Sequence, residues 1–138
     1  MPSREPSSLF APHIELSPQT VEIRVACYER MLARYSFSEP LFVDATDPEL
    51  QLLRKRMPTI DIREGARSRF TPRKNIADSK TGEVGSFSYV YQIRIQGDTA
   101  AANFTFYADP EGAEYFRLHL QNEKGVWKVV GVESLGMS

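Results

Sequence analysis

The chain contains one cysteine, two histidines and one tryptophan in 138 residues, and each scarcity excludes something. A lone Cys27 cannot close an intramolecular disulfide, and two histidines, His13 and His119, with one thiol cannot build a zinc site of the usual Cys/His spacing. No metal centre and no cofactor are expected. No stretch of 18 apolar residues is present, so no membrane span is expected. Met1 to Pro18 lacks the apolar core of a signal peptide, and the chain as written reads as cytoplasmic. Secretion or periplasmic residence stays open if an export signal once preceded Met1. Charge of one sign is lacking too. A net charge of −1 gives no global pull toward nucleic acid or cationic partners, so any electrostatic function must be local.

What is present is an average globular composition, 41% hydrophobic and 25% charged, in a chain long enough for one core and too short for two ordinary domains. Residues 1–16, with Pro2, Pro6, Pro12 and several serines, read as a flexible N-terminal arm. Residues 17–138 read as a single domain. Ser17-Pro18 is a helix-start signal, because Ser accepts the orphan amide bonds of the cap and Pro fits the first helical position. Val21, Val25, Tyr28, Leu32 and Tyr35 then recur at spacings of four and three, which predicts an amphipathic helix of about five turns. Glu22, Arg24, Glu29, Arg30 and Arg34 fall mainly off that stripe. Leu41–Val43 is a short apolar run, either a strand or packing. Thr46 or Asp47 caps a second helix with Pro48 at its first position, Leu50, Leu53 and Met57 as its apolar side, and Pro58 at its end. Thr59–Arg63 alternates as a short edge strand would, and loop is expected from there to Gly85.

From Ser86 the apolar period changes from 3.6 to 2. Phe87, Tyr89, Tyr91, Ile93 and Ile95 alternate with polar residues up to Gly97-Asp98, a two-residue hairpin signal. Ala100, Ala102, Phe104 and Phe106 follow, then a turn at Asp109–Gly112. Phe116, Leu118 and Leu120 come next, then a turn at Asn122–Gly125, and Val126–Leu135 closes the series. Four strands of this length must twist and curl. The expectation is α+β, with N-terminal helices packed on a strongly curved antiparallel β-meander.

The run Glu123-Lys124-Gly125-Val126-Trp127-Lys128-Val129-Val130-Gly131-Val132, placed after two helices, an irregular link and a meander, resembles the nuclear-transport-factor-2-like (cystatin-like) superfamily, uncharacterised small bacterial members above all. That resemblance implies a sheet curled into a cone. Members use the cavity as an enzyme pocket, a ligand site or merely a core, and some dimerise through the outer sheet face, so fold alone does not choose a function.

Four groups of residues carry candidate chemistry. An isomerase or dehydratase in such a cavity needs a carboxylate on the apolar side. Only Glu133 falls in phase with Trp127, Val129 and Leu135, and near the chain end a solvated or bonded rim residue explains it better than catalysis; His119 falls in phase with the polar Arg117 and Gln121. Asp44 and Asp47 flank the second helix, and capping accounts for Asp47. Tyr89, Tyr91, Phe104, Phe106 and Trp127 could line a site for a small apolar ligand or simply form the core. Arg54, Lys55, Arg56, Arg63, Arg67, Arg69, Arg73 and Lys74 fall within 21 positions with only Asp61 and Glu64 against them, a local excess of +6. Arg54, Arg56, Arg67, Arg69 and Arg73 are the candidate anion ligands there, with Phe70 able to stack on a base. The alternative is a solvated helix end and loop, and a pI near 6.1 disfavours nucleic acid. Last, Ser88, Gln92, Arg94, Asn103, Thr105, Tyr115, Arg117 and His119 mix aromatic, amide and Arg groups as a wet interface does, which suggests a homodimer or a protein partner. Cys27, one step off the helix stripe, reads as a buried inert thiol. The favoured reading is a non-enzymatic domain binding a partner or a small ligand, with the cavity enzyme and the anion or nucleic-acid binder as alternatives.

Overall fold

A computed structural model describes residues 17–138, and the arm expected at residues 1–16 lies outside them. The fold is α+β. Helix α1 (Pro18–Leu32) starts as its sequence dictates, with Ser17 Oγ accepting from the Thr20 amide at 3.2 Å. Strand β1 (Leu41–Val43) leads to α2 (Asp47–Arg56), and the interval expected to be loop holds β2 (Ile62–Glu64), one 3₁₀ turn (Gly65–Arg67), β3 (Ser68–Phe70) and β4 (Ile76–Asp78). Four long strands follow: β5 (Val84–Gln96), β6 (Thr99–Asp109), β7 (Gly112–Glu123) and β8 (Val126–Met137). The turn between β7 and β8 places Lys124 at φ 55° and Gly125 at φ 86°, the double positive φ that suits a tight hairpin.

The sheet order is β2-β1-β5-β6-β7-β8, with β3 and β4 forming a ribbon attached to β5. The long strands form the expected antiparallel meander, but the sheet as a whole is mixed. Both β1–β2 and β1–β5 pair in parallel. Short strands separated by a helix turn are hard to see in a sequence, because three residues carry too little periodicity to reveal direction.

The face of the sheet toward the helices, here the inner face, carries Val90, Ala102, Phe104, Phe116, Leu118 and Leu120, which pack with Ile23, Tyr28, Met31 and Leu32 of α1 and Leu50 and Leu53 of α2. Tyr28 meets Phe104 edge-on at 6.3 Å, and the Arg34 guanidinium lies 4.9 Å from the Phe116 ring centre. Helix α1 is buried on more than its stripe. Cys27 and Arg24 are also inside, since α1 packs against α2 as well as against β5, β6 and β8.

Register corrects the expected phase of β5. Val90 pairs with Phe104 and Ser88 with Phe106, so Ser88 and Val90 share the inner face, while Phe87, Tyr89 and Tyr91 point outward beside Tyr107, Thr105 and Asn103. A bulge between Tyr91 and Arg94, with Gln92 at φ 53°, then resets the alternation and returns Ile93 to the core. Strand β8 also carries two register shifts, opposite His119/Leu120 and Tyr115/Phe116.

Candidate functional site: the outer face of the long sheet

The inner side is stitched by one buried cation. Strand β1 ends at Val43, so beyond it the backbone of β5 at Val90 has no neighbouring strand on that side. Two side chains of α1 stand in for one. The Val90 amide donates to Tyr28 Oη at 3.1 Å, and Arg24 Nη1 donates to the Val90 carbonyl at 2.9 Å. Arg24 Nη2 reaches the Asp44 carbonyl at 2.6 Å, and Nε pairs with Glu49 Oε2 at 2.8 Å. Glu49 Oε1 accepts the Thr46 amide at 2.8 Å, so this fully buried carboxylate caps α2 with one oxygen and binds Arg24 with the other. Desolvation alone would lower the Arg24 pKa, but Tyr28, Glu49 and Asp44 together raise it, and Arg24 stays charged. The same burial pushes the Cys27 thiol up to about 12, which makes it inert. Asp44 is half-buried, and desolvation lifts its carboxyl to about 6 against the opposing pull of Arg24.

The outer face is built differently. Across β5, β6 and β7 it carries Tyr89, Thr105 and Tyr115 in one row, and Tyr91, Asn103 and Arg117 in the next. Tyr89 stacks on Tyr91 at 4.6 Å and lies nearly parallel to Tyr107 at 6.3 Å. Buried Thr105 exchanges a hydrogen bond with Tyr91 Oη at 3.0 Å, and Asn103 Nδ2 donates to Gln92 Oε1 at 2.6 Å. Desolvation, then the crowding of phenols, raises the pKa of Tyr89 and Tyr107. The four tyrosines are half-buried, with flat rings held in fixed positions on a broad sheet. The β3–β4 ribbon lies at the β1 end of this face, where Phe42, Ile76 and Phe87 form a second small core with Phe70, Tyr89 and Tyr107 packed against it.

Of the expected cavity residues, the structure therefore brings Phe104, Phe106 and Trp127 together in the core and puts Tyr89 and Tyr91 on the opposite side of the sheet. Glu133 also changes side. The register shifts of β8 place it outward, across from Arg117 and 3.5 Å from His119 Nε2, so it does not face the interior. Ser88, expected among the polar outer residues, is fully buried inside, and its Oγ has no hydrogen-bond partner among the described residues.

The basic segment is largely neutralised by carboxylates distant in sequence. Arg63 binds Asp61, Asp78 and Glu83, and Arg67 joins it on Asp78 at 2.6 Å. Burial alone would raise the Asp78 pKa, but the Lys80 amide, Arg63, the Thr81 amide and Arg67 hold it at about 2. Arg56 pairs with Glu29 and Lys74 with Glu111, while Arg54 Nε donates to the Ile62 carbonyl. Of the eight, Arg54, Lys55, Arg69 and Arg73 stand exposed without an ion pair to a described residue.

The chain matches no family model, no curated protein and no solved structure. Function must therefore be argued from the molecule. Among the described residues no group of His, Cys, Asp and Glu is arranged to hold a metal ion, and no helix is long and apolar enough to cross a membrane. Sequence reasoning named Asp44 as a carboxylate flanking the second helix and set Arg24 off the apolar stripe, but it did not bring Arg24, Glu49 and Asp44 together. The signal available was an arginine inside an amphipathic helix and a Thr-x-x-Glu box, both of which also occur on bare surfaces.

Proposed function

We propose that this chain is a non-enzymatic binding domain of the nuclear-transport-factor-2-like type, and that it pairs with a second copy of itself through the tyrosine-bearing outer face of β5–β8. The observation that carries the reading is the stack of Tyr89, Tyr91 and Tyr107, which are half-buried on the outer face and run from the small core under the β3–β4 ribbon, where Tyr107 meets Phe70, out to Tyr91. Tyrosines fixed by packing lose little entropy on binding, and they are enriched where interfaces form. The rim is compatible with a symmetric partner, because Arg117 and Glu133 are cross-strand neighbours of opposite charge on this face, the self-complementary pattern an isologous contact uses. The superfamily assignment itself draws support from the order of elements, two helices before a long curled meander, and from the C-terminal Gly-Val-Trp-Lys run.

Sedimentation velocity tests the pairing. At tens of micromolar the protein is expected to sediment at twice its 15.7 kDa mass, and Tyr91→Lys with Arg117→Glu is expected to return it to the monomer. A wild-type monomer at that concentration would sink the proposal. A catalytic reading has one observation in its favour, the Asp44 carboxyl titrating at about 6, in the range a general acid or base needs. Asp44 lines neither the open hollow beside Phe106 nor the one beside His119, so binding stands first.

A further inference from the structure

Along β6 the outward side chains are Thr99, Ala101, Asn103, Thr105 and Tyr107. At Ala101 the row shrinks to a single methyl, and its cross-strand neighbours are Arg94 on β5 and His119 on β7. Adjacent strands lie about 4.8 Å apart, so the two basic side chains rise roughly 9.6 Å from one another with a methyl floor between them. The result is an open basin of about 400 Å³, walled by Arg94, Gln96, His119, Gln121 and Val130.

The groups at this basin are mostly uncommitted. Arg94 and the side-chain amides of Gln96 and Gln121 form no hydrogen bond or ion pair with another described residue. His119 leans toward Glu133 at 3.5 Å, which steadies the imidazole. Glu133 stands on β8, on the far side of His119 from Arg94, and Lys128, in register with Gln121, is held by Glu123 at 3.1 Å. A guanidinium, an imidazole and two carboxamides around a small apolar floor supply donors from several directions. Arginine is suited to this role because its planar fork matches carboxylate and phosphate oxygens.

We propose that this basin binds a small organic oxyanion, whose carboxylate or phosphate group sits over Ala101 between Arg94 and His119. The site uses none of the tyrosines and does not depend on the pairing of two copies. Arg94 is exposed and has no partner to lose among the described residues, so Arg94→Gln should fold normally.

The test is a heteronuclear NMR titration of ¹⁵N-labelled protein with inorganic phosphate and, separately, with citrate. Saturable shifts are expected at the amides of Ala101 and His119 and at Arg94 Nε. The anion giving the tighter curve tells phosphate from carboxylate recognition. Arg94→Gln is expected to weaken binding about tenfold or more, since charge-assisted hydrogen bonds are each worth about 1.5–3 kcal/mol. Arg73→Gln, an exposed arginine elsewhere, should leave the curve unchanged. No saturable shift at Ala101 with either anion, or a curve that survives Arg94→Gln intact, would overturn the assignment. Sedimentation of Arg94→Gln as a dimer alongside lost anion binding would separate this site from the proposed interface.

Discussion

Replacing Arg24 by methionine should be among the most damaging single changes this fold can suffer. The substitution keeps most of the apolar stem but removes four polar contacts, to Glu49, Val90, Asp44 and the Tyr28 ring. Glu49 is 0% exposed, and without Arg24 it keeps only Thr46 as a partner. Breaking a buried pair from one side costs about 3–5 kcal/mol, because an uncompensated charge stays inside. A domain of this size has a total stability of about 5–15 kcal/mol, so the loss is a large part of the whole. Trp127 is the only tryptophan and is 5% exposed, which makes its fluorescence a natural probe of urea unfolding. With a slope of about 2 kcal/mol/M, the midpoint should fall by about 2 M. Adding Glu49→Leu to Arg24→Met should restore much of that loss, since an apolar pair of similar volume removes the stranded charge. A drop below about 1 kcal/mol for Arg24→Met would refute the hub's role, as would a double variant no better than the single.

Three further outcomes follow from the same structure. Gly85→Ala should destabilise by about 1–3 kcal/mol or more in the same urea assay, because a Cβ there would lie 2.0 Å from the Pro40 carbonyl oxygen, which also accepts the Ser86 amide. Ser88→Ala should be neutral or stabilising by about 1 kcal/mol, since it removes a buried hydroxyl that finds no partner among the described residues; a clear loss would refute this. The Asp44 carboxyl is raised to about 6 in the fold against 3.8 unfolded, so between those values the native state holds the extra proton and stability declines as pH rises through that window. Thermal melts of wild type and Asp44→Asn from pH 4 to 7 should differ by that decline, and superimposable profiles would dismiss it.

The long strands were legible because their period of two persists for ten residues or more, and the Gly97-Asp98 and Lys124-Gly125 turns mark their ends. Helix caps were legible because Ser17-Pro18 and Thr46-Asp47-Pro48 encode local chemistry. What failed was phase. In β5 the aromatic residues outnumber Ser88 and Val90, so hydrophobicity points to the wrong inner face; only pairing with Phe104 and Phe106 shows which side meets the helices. In β8 the bulges move Glu133 outward, and a bulge has no signature in alternation alone. The pairing of the basic run was hidden for a related reason. Asp78 and Glu83 lie beyond the end of the run in sequence yet fold back onto Arg63 and Arg67.

Strand β8 closes the long meander with a twelve-residue margin that exposes Val126, Val130, Leu135 and Met137. A flat apolar margin of that length would recruit strands from other chains and seed fibrils. Its two irregularities interrupt the ladder before such a guest could zip along it, and Lys128 and Glu133 add charge between the greasy positions. The same irregularity that turns Glu133 toward His119 thus guards the open margin of the sheet against a guest strand, and straightening it is expected to raise aggregation in exchange for a longer regular strand.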